Sequence, residues 1–334
     1  MNHTSNPSPK DLKIYTIANE MGSKLQILNL GASVLSLIIK DKNEKPVNVV
    51  VGPKNAEDYI SEKYVEENKC FGASVGRYAG RSSHRSFLLK GKTYELYQKN
   101  CSHLHGGFRG FQSKLWKLEA ENSGTDPSLT FSCVSEDGEE GYPGRLEIQV
   151  KYTLTSKNEL IIEYTASTTK SCPVNLTNHT YFNLNGKGNI SDQRLFINAE
   201  KILDTDSKLR PSGGFISLKE HSKDFSEERK IDQTALDDTF VLKENTRIAA
   251  SLYSPETGIE MQVETNQPSI VVYIPEQLPR NWAYQTEIAD AFPSICLETQ
   301  NLPDAPNHSN FPNSILEPGE EYLNLSVFKF GIRD

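Results

Sequence analysis

Strict alternation of apolar and polar side chains between Leu146 and Leu154 constrains this chain more than any other feature. Leu146, Ile148, Val150, Tyr152 and Leu154 alternate with Glu147, Gln149, Lys151 and Thr153. Successive side chains of a strand point to opposite faces, so this pattern is a strand with one buried face. A helix of the same residues would scatter its apolar groups around the axis. Ser156-Lys157-Asn158 follows as a polar turn, and Leu160, Ile162, Tyr164 and Ala166 run back with the same period. The two segments predict a hairpin. Phe87 to Leu96 predicts another, with Gly91 at its turn. Shorter strands are expected over residues 13–17, 25–30 and 34–40. Residues 322–330 are apolar on both faces, which predicts a strand inside a sheet rather than on an exposed edge.

Helical patterning is weak. Residues 56–67 have room for a turn or two of helix, and no three-to-four spacing is sustained elsewhere. There is no internal repeat or low-complexity tract. The polar stretch 219–237 reads as a long surface connection within one domain. The expected fold is therefore all-β: a large single domain of many short strands in stacked antiparallel sheets. The 14 tyrosines and 14 phenylalanines suit strands better than helices.

The net charge of −8 argues against nucleic acid as a partner, since no basic stripe is visible. Cys70, Cys101, Cys133, Cys172 and Cys296 are widely spread and have no paired spacing, which fits a reducing compartment and gives no metal site. The first ten residues are polar and lack the apolar stretch of a signal peptide, and no apolar run is long enough to span a bilayer. These features point to a cytoplasmic protein without a membrane or nucleic-acid partner. The Asn-X-Ser/Thr sequences at Asn175 and Asn324 are then chance matches.

Three patches carry candidate chemistry. His179 lies in Asn175-Leu-Thr-Asn-His-Thr-Tyr-Phe-Asn-Leu184, a run of strand-forming and amide residues. His103 and His105 precede Gly106-Gly107, and Glu298 stands at the end of an apolar run. A histidine titrates near neutrality and a partly buried glutamate can be raised toward it, so the two could serve as general acid and general base. Arg81 could donate two hydrogen bonds to neighbouring hydroxyls. Each residue has an equally physical structural role. A strand histidine is often a satisfied core group, and a strand-end glutamate often only faces solvent. A glycine pair suits a plain turn, and a lone arginine suits the surface.

Taken together, the patches resemble the aldose 1-epimerase family, the galactose mutarotases. The resemblance begins at Asn29-Leu-Gly-Ala-Ser-Val-Leu-Ser-Leu37 and Val47-Asn-Val-Val-Val-Gly52, with Asp58 and Tyr59 after it. It continues through Gly76-Arg-Tyr-Ala-Gly-Arg81, Leu104-His-Gly-Gly107 and Glu139-Glu-Gly-Tyr-Pro-Gly144. Pro173 to Leu184, Leu297-Glu-Thr-Gln-Asn-Leu-Pro-Asp304 and Leu316-Glu-Pro-Gly-Glu-Glu-Tyr322 complete it. Each segment alone is weak; their common order along the chain is specific. The resemblance implies a β-supersandwich, spanning residues 11–334 after a flexible tail of residues 1–10. It implies interconversion of the α and β anomers of a free aldohexose, without metal or cofactor, by a monomer or weak homodimer. It assigns His179 as general acid, Glu298 as general base and His105 as an assisting group near the ring oxygen. It assigns Arg81 and Asp237 to the sugar hydroxyls. Tyr181, Phe182 and Tyr273 are candidates for the apolar face of the ring, with core packing as the competing role. Activity is expected to fall at acid pH as Glu298 protonates.

Some positions depart from the family pattern. Gly80 stands where many relatives carry Asn, and Asp238 follows Asp237 where His is common. Residues 271–275 read Val-Val-Tyr-Ile-Pro where relatives often show Tyr-Thr-Gly-Asn. These positions surround the sugar and bear on hexose preference. Two other activities compete. A phosphosugar enzyme would need extra cations near the motifs, and a non-catalytic sugar binder would have little need for a matched acid and base.

Overall fold

The computed structural model describes residues 7–82, 84–97, 103–244 and 247–333. Cys101 lies outside the described residues. Two large antiparallel sheets dominate. The first has nine strands, in the order Lys117–Asn122, Ser128–Ser135, Leu146–Leu154, Glu159–Thr168, Tyr322–Ile332, Ile259–Thr265, Ala250–Tyr253, Arg194–Ile197 and Arg229–Lys230. The second has seven, in the order Pro211–Ser217, Ala199–Thr205, Leu236–Leu242, Ser269–Ile274, Ile295–Gln300, Tyr181–Phe182 and Val50–Val51. A four-stranded sheet is built from Ile14–Ala18, Lys24–Leu28, Ser33–Lys40 and Pro46–Asn48. The strands expected near the N-terminus form here, with ends shifted by a residue or two.

The alternation that opened the sequence argument determines the first sheet. Leu146 faces Thr168 and Leu154 faces Leu160 across the hairpin, and Leu146, Ile148, Val150, Tyr152 and Leu154 all enter the core. The second sheet presents Ile270, Val272, Ile274, Ile295 and Leu297 to the same core. Phe182 and Phe328 bridge the two sheets, with ring centroids 5.5 Å apart. Burial of this kind contributes roughly 1.5–3 kcal/mol for each large apolar side chain. The second sheet's other face is thereby left free to carry polar groups.

Four expectations need correction. The strand Tyr322–Ile332 does lie inside a sheet, between Glu159–Thr168 and Ile259–Thr265. Only one of its faces is buried, however: Phe328 and Phe330 are core residues while Leu323 is 46% exposed. The stretch 219–237 is more than a surface connection. Phe225 and Ile231 are fully buried anchors, and Leu236 opens a strand of the second sheet. Isolated apolar anchors have no period and leave no pattern to read. His179 lies between the short strands Thr177–Asn178 and Tyr181–Phe182, not within a strand. Glu298 sits inside the strand Ile295–Gln300 rather than at its end.

The segment 56–67 divides into a 3₁₀ turn, Ala56–Ile60, and one short α-helix, Glu62–Glu67. Ser61 caps the helix by accepting from the Tyr64 N–H at 3.2 Å. Asn68 ends it in the left-handed region at φ 46° and turns the chain toward the second sheet. Four cysteines, Cys70, Cys133, Cys172 and Cys296, are buried free thiols. Among the described residues no helix is long and apolar enough to cross a membrane.

Candidate active site

Strand register aligns the polar face of the second sheet. Pairing sets Asp237 opposite Tyr273, Tyr273 opposite Cys296, Cys296 opposite Tyr181 and Tyr181 opposite Val51. The neighbouring row sets Thr239 opposite Val271 and Val271 opposite Glu298. Period two explains the division of labour within one strand: Ile295 and Leu297 point into the core, and Glu298 and Gln300 point into a cavity on the other side. The cavity has a volume of about 170 Å³.

Loops carry the remaining groups over this floor. The His179 N–H donates to the Ala73 carbonyl at 2.9 Å, and its own carbonyl accepts from Gly72 at 3.0 Å. Gly72 is required there, since its φ is +68° and a Cβ would lie 2.0 Å from the Val34 carbonyl oxygen. His105 follows the strand His103–Leu104, whose partner strand Arg81–Ser82 sets Leu104 opposite Arg81. His105 itself adopts φ 53°. Its N–H donates to the Gly80 carbonyl at 3.0 Å, and its Nδ1 accepts from the Gly80 N–H at 3.3 Å. That acceptor role leaves the neutral ring's proton on Nε2, where it can be donated.

Five of the expected residues meet in this cavity as two clusters. His179 Nε2 and Glu298 Oε1 are 3.6 Å apart. This is close enough to couple but too long for a hydrogen bond. His179 Nδ1 and Glu298 Oε2 are buried with no hydrogen-bond partner among the described residues. The His105 ring lies edge-on to His179, with centroids 5.4 Å apart. Arg81 reaches Asp237 at 3.3 Å, and both side chains remain partly exposed. Tyr181 and Tyr273 also line the cavity, with rings 5.0 and 6.1 Å from His179. Phe182 does not: it belongs to the core between the sheets. His103 is structural, its ring nitrogens held by the Tyr97 carbonyl and the Tyr142 hydroxyl, each at 2.6 Å.

Burial controls the protonation of the cluster. It pushes the Glu298 carboxyl well above its ordinary range; the negative charge of Asp237 adds to this and Arg81 opposes it. His179 is pushed down to about 4, chiefly by burial, with the positive charges of Lys69 and Arg81 acting in the same direction. His105 is lowered by burial, and any positive charge on His179 or Arg81 acts in the same direction. Burial therefore disfavours the charged form of each group, so a proton shared by the pair rests on Glu298 and leaves the His179 ring neutral. Transfer of that one proton to His179 gives an ion pair with the same proton count, so the pair can exchange roles without exchange with solvent.

The donor atoms of His105, His179 and Glu298 also lie within 4.8 Å of one another, the one three-donor set of metal-ligand type among the described residues. The expectation from sequence was no metal, and the same three groups are equally suited to proton transfer.

Several cavity residues escaped the sequence reading. Lys69 enters from the turn after Asn68. Leu203, Thr205, Leu209 and Pro211 form one wall from two adjoining strands and the turn between them, and Pro303 packs over Gly80. Gln300 was recoverable, because it lies two residues after Glu298 and shares its face. Pro303 lies in the run 297–304 but has no polar group to mark it, and the others come from segments with no chemical motif. Lys223 pairs with Asp238 at 2.7 Å, so Asp238 is tied up beside the site and does not line it.

The aldose 1-epimerase family model matches residues 13–329. The galactose mutarotase of Rattus norvegicus is 36% identical, over 92% of this chain and 91% of its own. The aldose 1-epimerase of Escherichia coli K12 is 31% identical, over 97% and 96% respectively. A crystal structure of an aldose epimerase homologue from C. elegans superposes with a TM-score of 0.88 at 26% identity, covering 97% of this chain and all of that one. The fold and these similarities agree, and the chain belongs to the aldose 1-epimerase family.

Proposed function

We propose that this protein interconverts the α and β anomers of a free aldohexose such as galactose or glucose, with Glu298 as general base and His179 as general acid. The observation that carries the assignment is the buried His179–Glu298 pair, 3.6 Å apart and without other side-chain partners among the described residues. A buried pair that satisfies nothing structural is held at a cost, and active sites are where such costs recur.

In the ring-opening step the Glu298 carboxylate takes the proton from the O1 hydroxyl. Protonated His179 delivers its proton to the ring oxygen O5, and the C1–O5 bond breaks to leave an aldehyde and a free O5 hydroxyl. Rotation about C1–C2 then presents the other face of the carbonyl. Closure reverses the transfers, with neutral His179 taking the O5 proton and protonated Glu298 returning one to O1. Opening begins from the ion pair and closure from the neutral pair. Because the two forms hold the same number of protons, one pH window serves both directions. His105 Nε2–H donates toward the developing charge at O5. Arg81 and Asp237 hold hydroxyls at the other end of the ring, and Tyr273 and Tyr181 supply apolar faces. The contributing residues run from Lys69 to Gln300, and residues 11–334 act as one catalytic domain in this reading.

Polarimetry on freshly dissolved α-D-galactose and α-D-glucose tests the assignment. The expected result is a faster approach to the same final rotation. Acceleration absent with both, yet present with glucose 6-phosphate, transfers the reaction to a phosphosugar. Sugar binding with no acceleration of any of them overturns an enzymatic role.

A further inference from the structure

The motif at residues 139–144 takes no part in the proton transfers, yet it grips the chain on both sides of His105. We propose that Glu140 is a positioning residue for His105: its carboxylate fixes the loop that aims the His105 ring at the ring oxygen of the sugar. The proposal rests on the mutarotase reading and adds a residue to its machinery.

On the N-terminal side of His105, the Tyr142 hydroxyl meets Nε2 of His103 at 2.6 Å, with both side chains buried. On the C-terminal side, Glu140 Oε2 accepts the Phe108 N–H at 2.9 Å and Oε1 accepts the Arg109 N–H at 3.0 Å. Hydrogen bonds to an ionised acceptor are the stronger kind. The carboxylate forms no ion pair among the described residues, so the loop is its partner. His105 sits between the two grips at φ 53°, and Glu140 itself is at φ 54°. Side chains rarely occupy that left-handed region, and they persist there where the surrounding structure holds them.

The two loops fit closely. A Cβ on Gly107 would lie 2.2 Å from Glu140 Oε2, so the carboxylate fills the space that a side chain there would take. A Cβ on Gly141 would lie 2.0 Å from the Glu95 carbonyl oxygen, and the Tyr97 N–H donates to the Glu140 carbonyl at 3.1 Å. Glycine at both positions is what lets the backbones approach. Arg77 ties the motif to the core. Its guanidinium is buried and donates to the carbonyls of Ser135, Glu136 and Pro143 at 2.8, 2.8 and 3.0 Å. A planar fork of this kind sets direction as well as distance. The motifs at 76–81, 104–107 and 139–144 thus meet in one scaffold, with His105 at its edge on the catalytic cavity. Such rigidity matters, because displacing a reacting group by ~1 Å can cost about 10²-fold in rate.

The test is a double-mutant cycle between Glu140→Ala and His105→Asn, read by polarimetry on galactose and glucose. Phe108 and Arg109 are exposed, so water can take up their N–H groups and Glu140→Ala should stay folded. Glu140→Ala should lower kcat by about 10²-fold, as His105→Asn should, and leave KM within about threefold. Adding Glu140→Ala to His105→Asn should cost less than about threefold more, because the two act through one ring. Glu140→Gln can still accept one of the two N–H groups and should fall between Glu140→Ala and the wild type. The NMR resonance of the His105 Cε1–H, identified by its loss in His105→Asn, should move in Glu140→Ala. A kcat within about twofold of wild type for Glu140→Ala overturns the positioning role, as do losses that multiply to about 10⁴ in the double variant. A Glu140→Gln variant no better than Glu140→Ala overturns the hydrogen bonds as its cause. An unmoved His105 resonance overturns the grip on the ring, whatever the sugar. A wild type that accelerates no sugar overturns the mutarotase reading and the role of His105 in it.

Discussion

Replacing Glu298 by Gln keeps the shape of the side chain and removes its ability to hold or release the catalytic proton. Glu298 is 2% exposed; its Oε2 has no partner among the described residues, and its Oε1 is 3.6 Å from His179. The substitution therefore breaks no hydrogen bond seen in the structure. Burial already raises the Glu298 carboxyl. A group whose folded-state value is raised loses stability as pH climbs from its unfolded value toward its folded one. Glutamine has no ionised form to penalise, so at pH 7 the variant should melt at the same temperature as the wild type or higher. Activity should behave in the opposite way. Loss of a general base typically lowers a rate by about 10²–10⁴, or about 3–5 kcal/mol of barrier. His179 also loses the carboxylate that balances its cation. In this pocket, lowering the ring from 6.5 to about 4 already disfavours that cation by about 3 kcal/mol. Both effects act on the same step, which sets the expected loss near the upper end, about 10⁴ in kcat. Polarimetry supplies the rate and calorimetry at pH 7 the stability. A wild-type rate would refute the role of Glu298, and a large fall in melting temperature would refute its description as a group whose ionised form burial penalises.

Other outcomes follow from the same geometry. The pH profile of kcat/KM should be bell-shaped, because the pair works only with one proton: activity falls as His179 gains a second proton near pH 4, and falls again as the raised Glu298 group loses its last. The acid limb thus belongs to the pair and not to simple protonation of Glu298, and a limb near 6.5 would mean an unburied histidine. His179→Asn should abolish most activity. It should also flatten the rise in stability between about pH 4 and 6.5, where the unfolded histidine binds a proton that the folded one refuses, a difference of about 3 kcal/mol measurable by urea denaturation at pH 4 and 7. Asp237→Asn should raise KM by about tenfold with little change in kcat or melting temperature, since its ion pair with Arg81 is partly exposed and worth less than about 1 kcal/mol to the fold. Prolonged dialysis against EDTA should leave mutarotation unchanged. A loss restored by zinc would make His105, His179 and Glu298 metal ligands instead of a proton relay.

Local pattern carried much of this protein. Alternation between Leu146 and Leu154 is a property of neighbours in sequence, and it determined the hairpin and its buried face before any tertiary contact was known. His179, His105, Glu298 and Arg81 stand in short motifs that marked them as candidates, and Asp237 was named only through the family resemblance. Tertiary structure decided which of them meet. Period two says which residues of Ile295–Gln300 share a face, but only pairing with Ser269–Ile274 and Leu236–Leu242 sets Glu298 in line with Val271 and Thr239. His179 is held between short strands by backbone bonds to Gly72 and Ala73, contacts made across more than a hundred residues of chain. The shifted protonation of the pair is collective too, since it arises from exclusion of water by side chains drawn from the whole second sheet. The wall formed by Leu203, Thr205, Leu209 and Pro211 left no mark in the sequence, because a cavity is bounded by surfaces that only the folded chain brings together.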